Sequence, residues 1–176
     1  MSFSPVPAYS FDAVTDIRSA FLRDIGVTFL MLDLDNTLAP YGSDVPDERV
    51  VRWADTLRAG GIRLFIVSNS RRPGRTERVA GVLRVDYIKN ARKPSPAGVI
   101  AAIRKAGGAP ERSALAGDQI YTDTLAANRA GVTSILVRPI RLGNAFLAAR
   151  YGLEAPFRAM AARRPAPARG GREIRR

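Results

Sequence analysis

Residues Val27–Leu38 read VTFLMLDLDNTL, and the change of character inside this stretch decides the fold. From Val27 to Leu34 the run is almost continuously apolar and of strand length, as expected of a strand covered on both faces rather than one alternating between core and solvent. It then breaks abruptly into the polar DNTL of Asp35–Leu38.

Upstream, Val14, Ile17, Phe21 and Ile25 recur at helical spacing until Gly26, which predicts a leading helix, and residues 1–9 read as an aperiodic, Pro-containing N-terminal extension. Downstream, Asp44 and Pro46 open a helix that carries Val50, Val51, Ala54 and Leu57 and stops at Gly60-Gly61. IRLFIVS at 62–68 is a second buried strand, 71–83 a basic helix and 85–88 a short third strand. Ser95 and Pro96 begin a helix that runs to Gly107-Gly108, before strand 113–116, a short helix from about Thr122 to Ala130, and strand 133–137. Strands alternating with helices imply right-handed βαβ units. The expectation is therefore an α/β fold: a doubly wound, parallel, five-stranded sheet with helices on both faces, filling one domain over 10–162. Residues 163–176, RPAPARGGREIRR preceded by Arg163, are Pro, Gly and Arg with almost nothing apolar and read as a disordered tail.

Composition narrows the chemistry. The 176 residues contain no cysteine and no histidine, which removes thiolate nucleophiles, the usual zinc sites and the commonest general base. Catalysis must run on carboxylates, and an all-oxygen ligand set favours a hard cation such as Mg²⁺. The net charge is +12, and from Arg150 onward eight arginines face only Glu154 and Glu173. This balance suits a polyanionic partner, although only three lysines are present, so a general preference for arginine explains part of it. No membrane-length apolar run and no secretory leader are visible, giving an expected cytoplasmic location with peripheral contact at the inner membrane face.

Four polar clusters fall at or soon after strand ends: Asp33, Asp35 and Thr37; Ser68 and Asn69; Lys93; and Asp118 with Asp123. In a doubly wound sheet the ligand lies beyond the carboxyl ends of the strands, where the winding reverses. Each cluster alone reads equally well as a turn, a cap or a solvated side chain. The order D-x-D-x-T, S-N, K-P, G-D-x-x-x-x-D is what sets them apart.

That order resembles the haloacid dehalogenase (HAD) superfamily over Asp33–Asp123. DLDNTL, A-R-K-P at 91–94, GDQIYTD at 117–123 and TSILVRP at 133–139 resemble its capless, Rossmann-like YqeG-type members of subfamily IIIA, which are related to mitochondrial phosphatidylglycerophosphate phosphatases. The resemblance implies a Mg²⁺-dependent phosphatase with Asp33 as nucleophile and metal ligand. Asp35 is then the acid/base and lends a backbone carbonyl to the metal; Asp118 is the opposite ligand and Asp123 its support. Ser68 and Asn69 would hold phosphoryl oxygens, Lys93 would neutralise charge, and Thr37 would stiffen the nucleophile loop and hydrogen-bond nearby. Ser70 stands where the family pattern has a second Asn, and the Arg-rich terminus lies outside that pattern.

The stretches 38–67 and 71–92 have no room for an inserted cap, so the site should be open, serving a bulky substrate or borrowing a neighbouring subunit as its lid. Apolar Phe146, Leu147, Leu153, Phe157 and Met160 lie near one helical face beside Arg150 and Arg158, which suits either core packing or contact with anionic membrane. The expected substrate is a phosphomonoester, with phosphatidylglycerophosphate leading and soluble sugar phosphates as the alternative. A receiver domain places its lysine after the last strand, unlike Lys93. A nucleic-acid-associated protein with a vestigial site remains a further reading, weakened because no RNA-binding motif with stacking aromatics is evident.

Overall fold

The computed structural model describes residues 4–141 and 145–162; the proposed tail at 163–176 lies outside them. Six parallel strands form one sheet: β1 Tyr9–Phe11, β2 Phe29–Leu32, β3 Arg63–Val67, β4 Asp86–Ile88, β5 Ser113–Gly117 and β6 Thr133–Val137. Their spatial order is β1-β6-β5-β2-β3-β4, every neighbouring pair parallel. The chain winds outward from β2 through β3 to β4, then crosses back to β5 and on to β6. The reversal falls between β2 and β5, which places the end of the VTFLMLDL run at the crevice.

The sixth strand is a correction to the five expected. β1 starts inside the stretch assigned to the N-terminal extension and pairs with β6 through Tyr9–Ile135, Ser10–Leu136 and Phe11–Val137. Three residues at a sheet edge are too short to display a period of two, so no pattern announced it.

β2 is buried along its whole length because it is covered on both sides. Leu30 and Leu32 join one core with Trp53, Leu57, Ile66 and Val79, while Phe29 and Met31 join the opposite core with Phe65, Val99 and Leu115. Burying each such side chain contributes roughly 1.5–3 kcal/mol, which is why the run has no polar face to spare. The first core is covered by α1 Ser19–Asp24, α2 Glu48–Ala59 and α3 Arg75–Leu83; the second by α4 Ala97–Ala106 and α5 Leu125–Ala130. Trp53 on α2 donates its indole N–H to the Ile17 carbonyl at 2.8 Å, tying the leading segment to the core.

The leading helix is shorter than its periodicity suggested: a 3-10 turn at Val14–Asp16, a break, then α1. Likewise the helix before β6 begins as a π-helical turn at Ile120–Thr124 and becomes α5 only at Leu125. The terminal segment forms two helices, α6 Ala145–Leu153 and α7 Ala155–Ala162, with the break just before Pro156. No domain is inserted between β2 and α2 or between β3 and α3. No helix among the described residues is long and apolar enough to cross a membrane.

Candidate active site

The loop of residues 33–39, where the nucleophile is expected, follows β2 and is held by its own backbone. Leu34 O accepts from Leu38 N and Ala39 N, and Asn36 N donates to Ala39 O at 2.8 Å. Asn36 takes a left-handed backbone at φ 60°, which Asn tolerates better than most residues, and its side chain accepts from Tyr41 N at 3.2 Å. Thr37 is buried, yet its hydroxyl has no hydrogen-bond partner among the described residues. Among the described residues the turn is held by backbone pairs rather than by the Thr37 hydroxyl.

Lys93 reaches this loop from the segment after β4. Its Nζ lies 2.5 Å from Asp33 Oδ1 and 2.6 Å from Asp123 Oδ1, and the side chain is only 1% exposed. Asn69 seats the lysine: its side-chain amide donates to Lys93 O and accepts from Lys93 N, both at 2.9 Å. The side chain expected to grip phosphate thus spends its carbonyl and one of its two amide hydrogens on the Lys93 backbone. Ser68 is fully buried at the end of β3 and accepts from Ser70 N at 3.0 Å.

Asp118 and Asp123 arrive on the loop after β5. Asp33, Asp118 and Asp123 each offer a carboxylate oxygen within 4.8 Å of the others. Asp123 Oδ2 accepts from Gln119 N at 3.2 Å, and Gly117 is required beneath it, since a Cβ there would come within 2.4 Å of the Asp123 carboxyl carbon. Asp118 Oδ1 is buried without a hydrogen-bond partner among the described residues.

Three carboxylates facing one ammonium would, if all were ionised, leave two negative charges uncompensated in a buried pocket. The pKa values shift accordingly. Burial raises Asp33 first, Lys93 pulls it back, and Asp123 with Asp35 raises it again, leaving its pKa at about 7. Asp118 is held well above the carboxylate range by burial and by the neighbouring Asp33 and Asp123. Burial opposes the charge on Lys93, but Asp123 and Asp33 outweigh it and push the ammonium above its ordinary value. Close oxygens, an unpartnered buried carboxylate oxygen and a deficit of two charges fit a hard divalent cation.

Two features were not foreseen. Arg75, fully buried at the start of α3, lies 2.6 Å from Asp35 Oδ1; burial still holds the Asp35 carboxyl above its usual range. The second is a clamp from α7. Glu154, 1% exposed, accepts from Ile120 N at 2.9 Å, while Arg158 donates to the Asp118 carbonyl at 2.6 Å and pairs with Glu154 at 2.6 Å. Tyr121 packs edge-on against Phe157. Neither was legible, because each joins a charged residue in a helix to a loop far away in sequence. The only local signal was a lone acid, Glu154, in an otherwise basic and apolar stretch.

The α/β fold is shared with known phosphatases. A HAD-hydrolase-like family model matches residues 90–139. A cobalt-bound deoxy-D-mannose-octulosonate 8-phosphate phosphatase from Haemophilus influenzae superposes with a TM-score of 0.52 at 16% identity, covering 81% of this chain and 94% of its own. An uncharacterized protein from Listeria monocytogenes serotype 4b gives 0.54 at 14% identity, covering 76% and 99%. These likenesses define the fold. The chain is a phosphatase of the HAD class. It is 32% identical over 126 residues to the Bacillus subtilis (strain 168) protein named "Probable phosphatase YqeG", covering 72% of this chain and 73% of that one, and it belongs to the YqeG-type family.

Proposed function

We propose that this chain hydrolyses phosphomonoesters with Mg²⁺ through an aspartyl-phosphate on Asp33. The observation that carries the reading is the bridge of Lys93 Nζ between Asp33 and Asp123, with Asp118 closing the acidic ring. Asp33 and Asp118 carboxylates, the Asp35 carbonyl and Asp123 as support would hold the ion. When bound, it supplies charge neutralisation that lets an anionic nucleophile approach an anionic phosphate. Asp33 attacks phosphorus, the ester P–O bond breaks, and Asp35 gives its proton to the leaving alkoxide. Asp35 then takes a proton from water as the water oxygen bonds to phosphorus and the acyl-phosphate bond to Asp33 breaks. Lys93 and the Ser68 hydroxyl are placed to offset charge on the phosphoryl oxygens. An intact ring of three acids around one lysine speaks against a vestigial site.

A test follows from the charge deficit. A raised carboxylate pKa in the fold means that ionising Asp33 costs stability, a cost that grows as pH rises from about 4 and is complete above about 7. Mg²⁺ removes that cost, so it should raise Tm by several degrees at pH 8 and by far less at pH 5. Equal shifts at both pH values, or full turnover in excess chelator, would sink the assignment. Ca²⁺ should also stabilise but support little turnover, because its looser coordination disturbs in-line attack.

For the substrate we infer a membrane-borne phosphomonoester, with phosphatidylglycerophosphate leading. The support is the lack of an inserted cap between β2 and α2 or β3 and α3, together with apolar side chains exposed on segments joined to the Asp33 loop. Tyr41 and Val45 are 64% and 62% exposed, and Ile140, whose N–H bonds Asn36 O, is 44% exposed. On the terminal helices Leu153 and Met160 are exposed, while Phe157 packs on Tyr121, so α7 serves the core and the surface at once. Co-sedimentation with anionic liposomes at low and high salt, alongside hydrolysis of phosphatidylglycerophosphate and soluble sugar phosphates, checks this. Absent liposome binding together with preference for soluble esters would leave a small-molecule phosphatase.

A further inference from the structure

We propose that Arg75 is the positioning residue for Asp35: it fixes the carboxyl group that handles the leaving group's proton, and turnover of esters with poor leaving groups depends on it. The proposal rests on the reading of Asp35 as acid/base given above.

Arg75 is 0% exposed and heads the largest fully buried side chains. A guanidinium withdrawn from water must have its donors met, and here they are distributed over three points. Nε donates to Ser43 O at 3.0 Å, one terminal nitrogen to Pro40 O at 3.0 Å, and the other to Asp35 Oδ1 at 2.6 Å. Asp44 lies farther away, with its Oδ1 3.6 Å from Nε, and makes its closer contact with Arg78 at 2.7 Å. The short bond of Arg75 is therefore reserved for Asp35.

Two aspects of this geometry point beyond a loop strut. The contact to Asp35 is single rather than forked: one nitrogen meets one oxygen, which anchors that oxygen and leaves the other for proton transfer. In addition, Arg75 is the first residue of α3, whose N-cap, Gly74, makes no side-chain cap. A cation at a helix N-terminus opposes the helix dipole, typically by about 0.3–1 kcal/mol. A position that is wrong for the helix and right for Asp35 is the kind of local conflict found at functional sites. The loop carbonyls of Pro40 and Ser43 act as a jig that aims the guanidinium.

The experiment compares two esters sharing one aromatic group, 4-nitrophenyl phosphate and 2-(4-nitrophenyl)ethyl phosphate. Nitrophenolate departs without a proton, whereas the alkoxide does not. Arg75→Met in the full chain with Mg²⁺ should lower kcat on the alkyl ester by about 100-fold or more, the range of one lost acid/base group. Its pre-steady-state burst of nitrophenolate should stay within about threefold of wild type, and KM for both esters likewise. Arg75→Lys keeps the buried charge but cannot meet all three partners, so it should discriminate between the esters by about tenfold. If Arg75→Met does not fold, the lysine variant carries the same readout. Equal losses on both esters in the single-turnover rate of ester cleavage, or no loss on either, would overturn the proposal. Asp35→Asn run in parallel separates the two ideas. If it too fails to discriminate, the acid/base reading of Asp35 falls; if it discriminates and the Arg75 variants do not, only the role of Arg75 falls.

Discussion

Asp33→Asn should extinguish turnover, by about a thousandfold or more, in a protein that folds at least as well as the wild type. The amide keeps the shape of the side chain and loses the nucleophile, and no other group stands at the same distance from Lys93 on the β2 loop. A loss of that size corresponds to about 4 kcal/mol of barrier. The stability half of the expectation comes from the same geometry. Asp33 is buried, with Asp118 and Asp123 close by, and its pKa of about 7 means that holding it ionised at pH 8 costs stability in the fold. An uncharged amide avoids that cost while Lys93 keeps Asp123. Thermal melts in chelator at pH 8 should give the variant a Tm equal to or above that of the wild type, the trade of stability for activity expected of a strained site. Retention of more than about a tenth of wild-type turnover, a change of only ~1.4 kcal/mol, would exclude Asp33 as nucleophile.

Lys93→Met has the opposite signature, damaging both properties together. The ammonium is the cation that the described residues supply to Asp33 and Asp123, and removing one partner of a buried pair costs about 3–5 kcal/mol. That loss should be seen at pH 8 and shrink towards pH 5, where the abandoned carboxylates take up protons. Turnover should fall by about 10²–10³, the usual effect of deleting one preorganised charge partner. Saturating Mg²⁺ should recover part of the Tm but not the rate, because it replaces the charge and not the hydrogen bonds to the nucleophile. Recovery of both by Mg²⁺ would show that Lys93 contributes charge alone.

The parts of this molecule that were legible in its sequence are those in which one segment declares itself. VTFLMLDL and IRLFIVS announce buried strands because both faces are covered, and the polar residues that end them mark the crevice. Sequence reading failed where the determinant is a distant partner. β1 has no period to show and exists because β6 offers an edge. Asn69 looks the same whether it faces a phosphate or the peptide of Lys93, and only the fold reveals the second. Arg75 was one arginine among several in a basic stretch, and its burial is decided by Asp35 and by carbonyls some thirty residues earlier.

The clamp of Arg158 on the Asp118 carbonyl also sets a timetable. The two residues are separated by 40 positions, and β1 likewise cannot join the sheet before β6 has been made. At ~5–20 residues per second, a ribosome needs about 2–8 s to travel from Asp118 to Arg158. During that interval the strands that carry all the acids exist, yet the loop that presents Asp118 and Asp123 lacks its final brace. A growing chain thus holds its acids before α7 is made, and the loop after β5 gains its brace from Arg158 only as that helix docks.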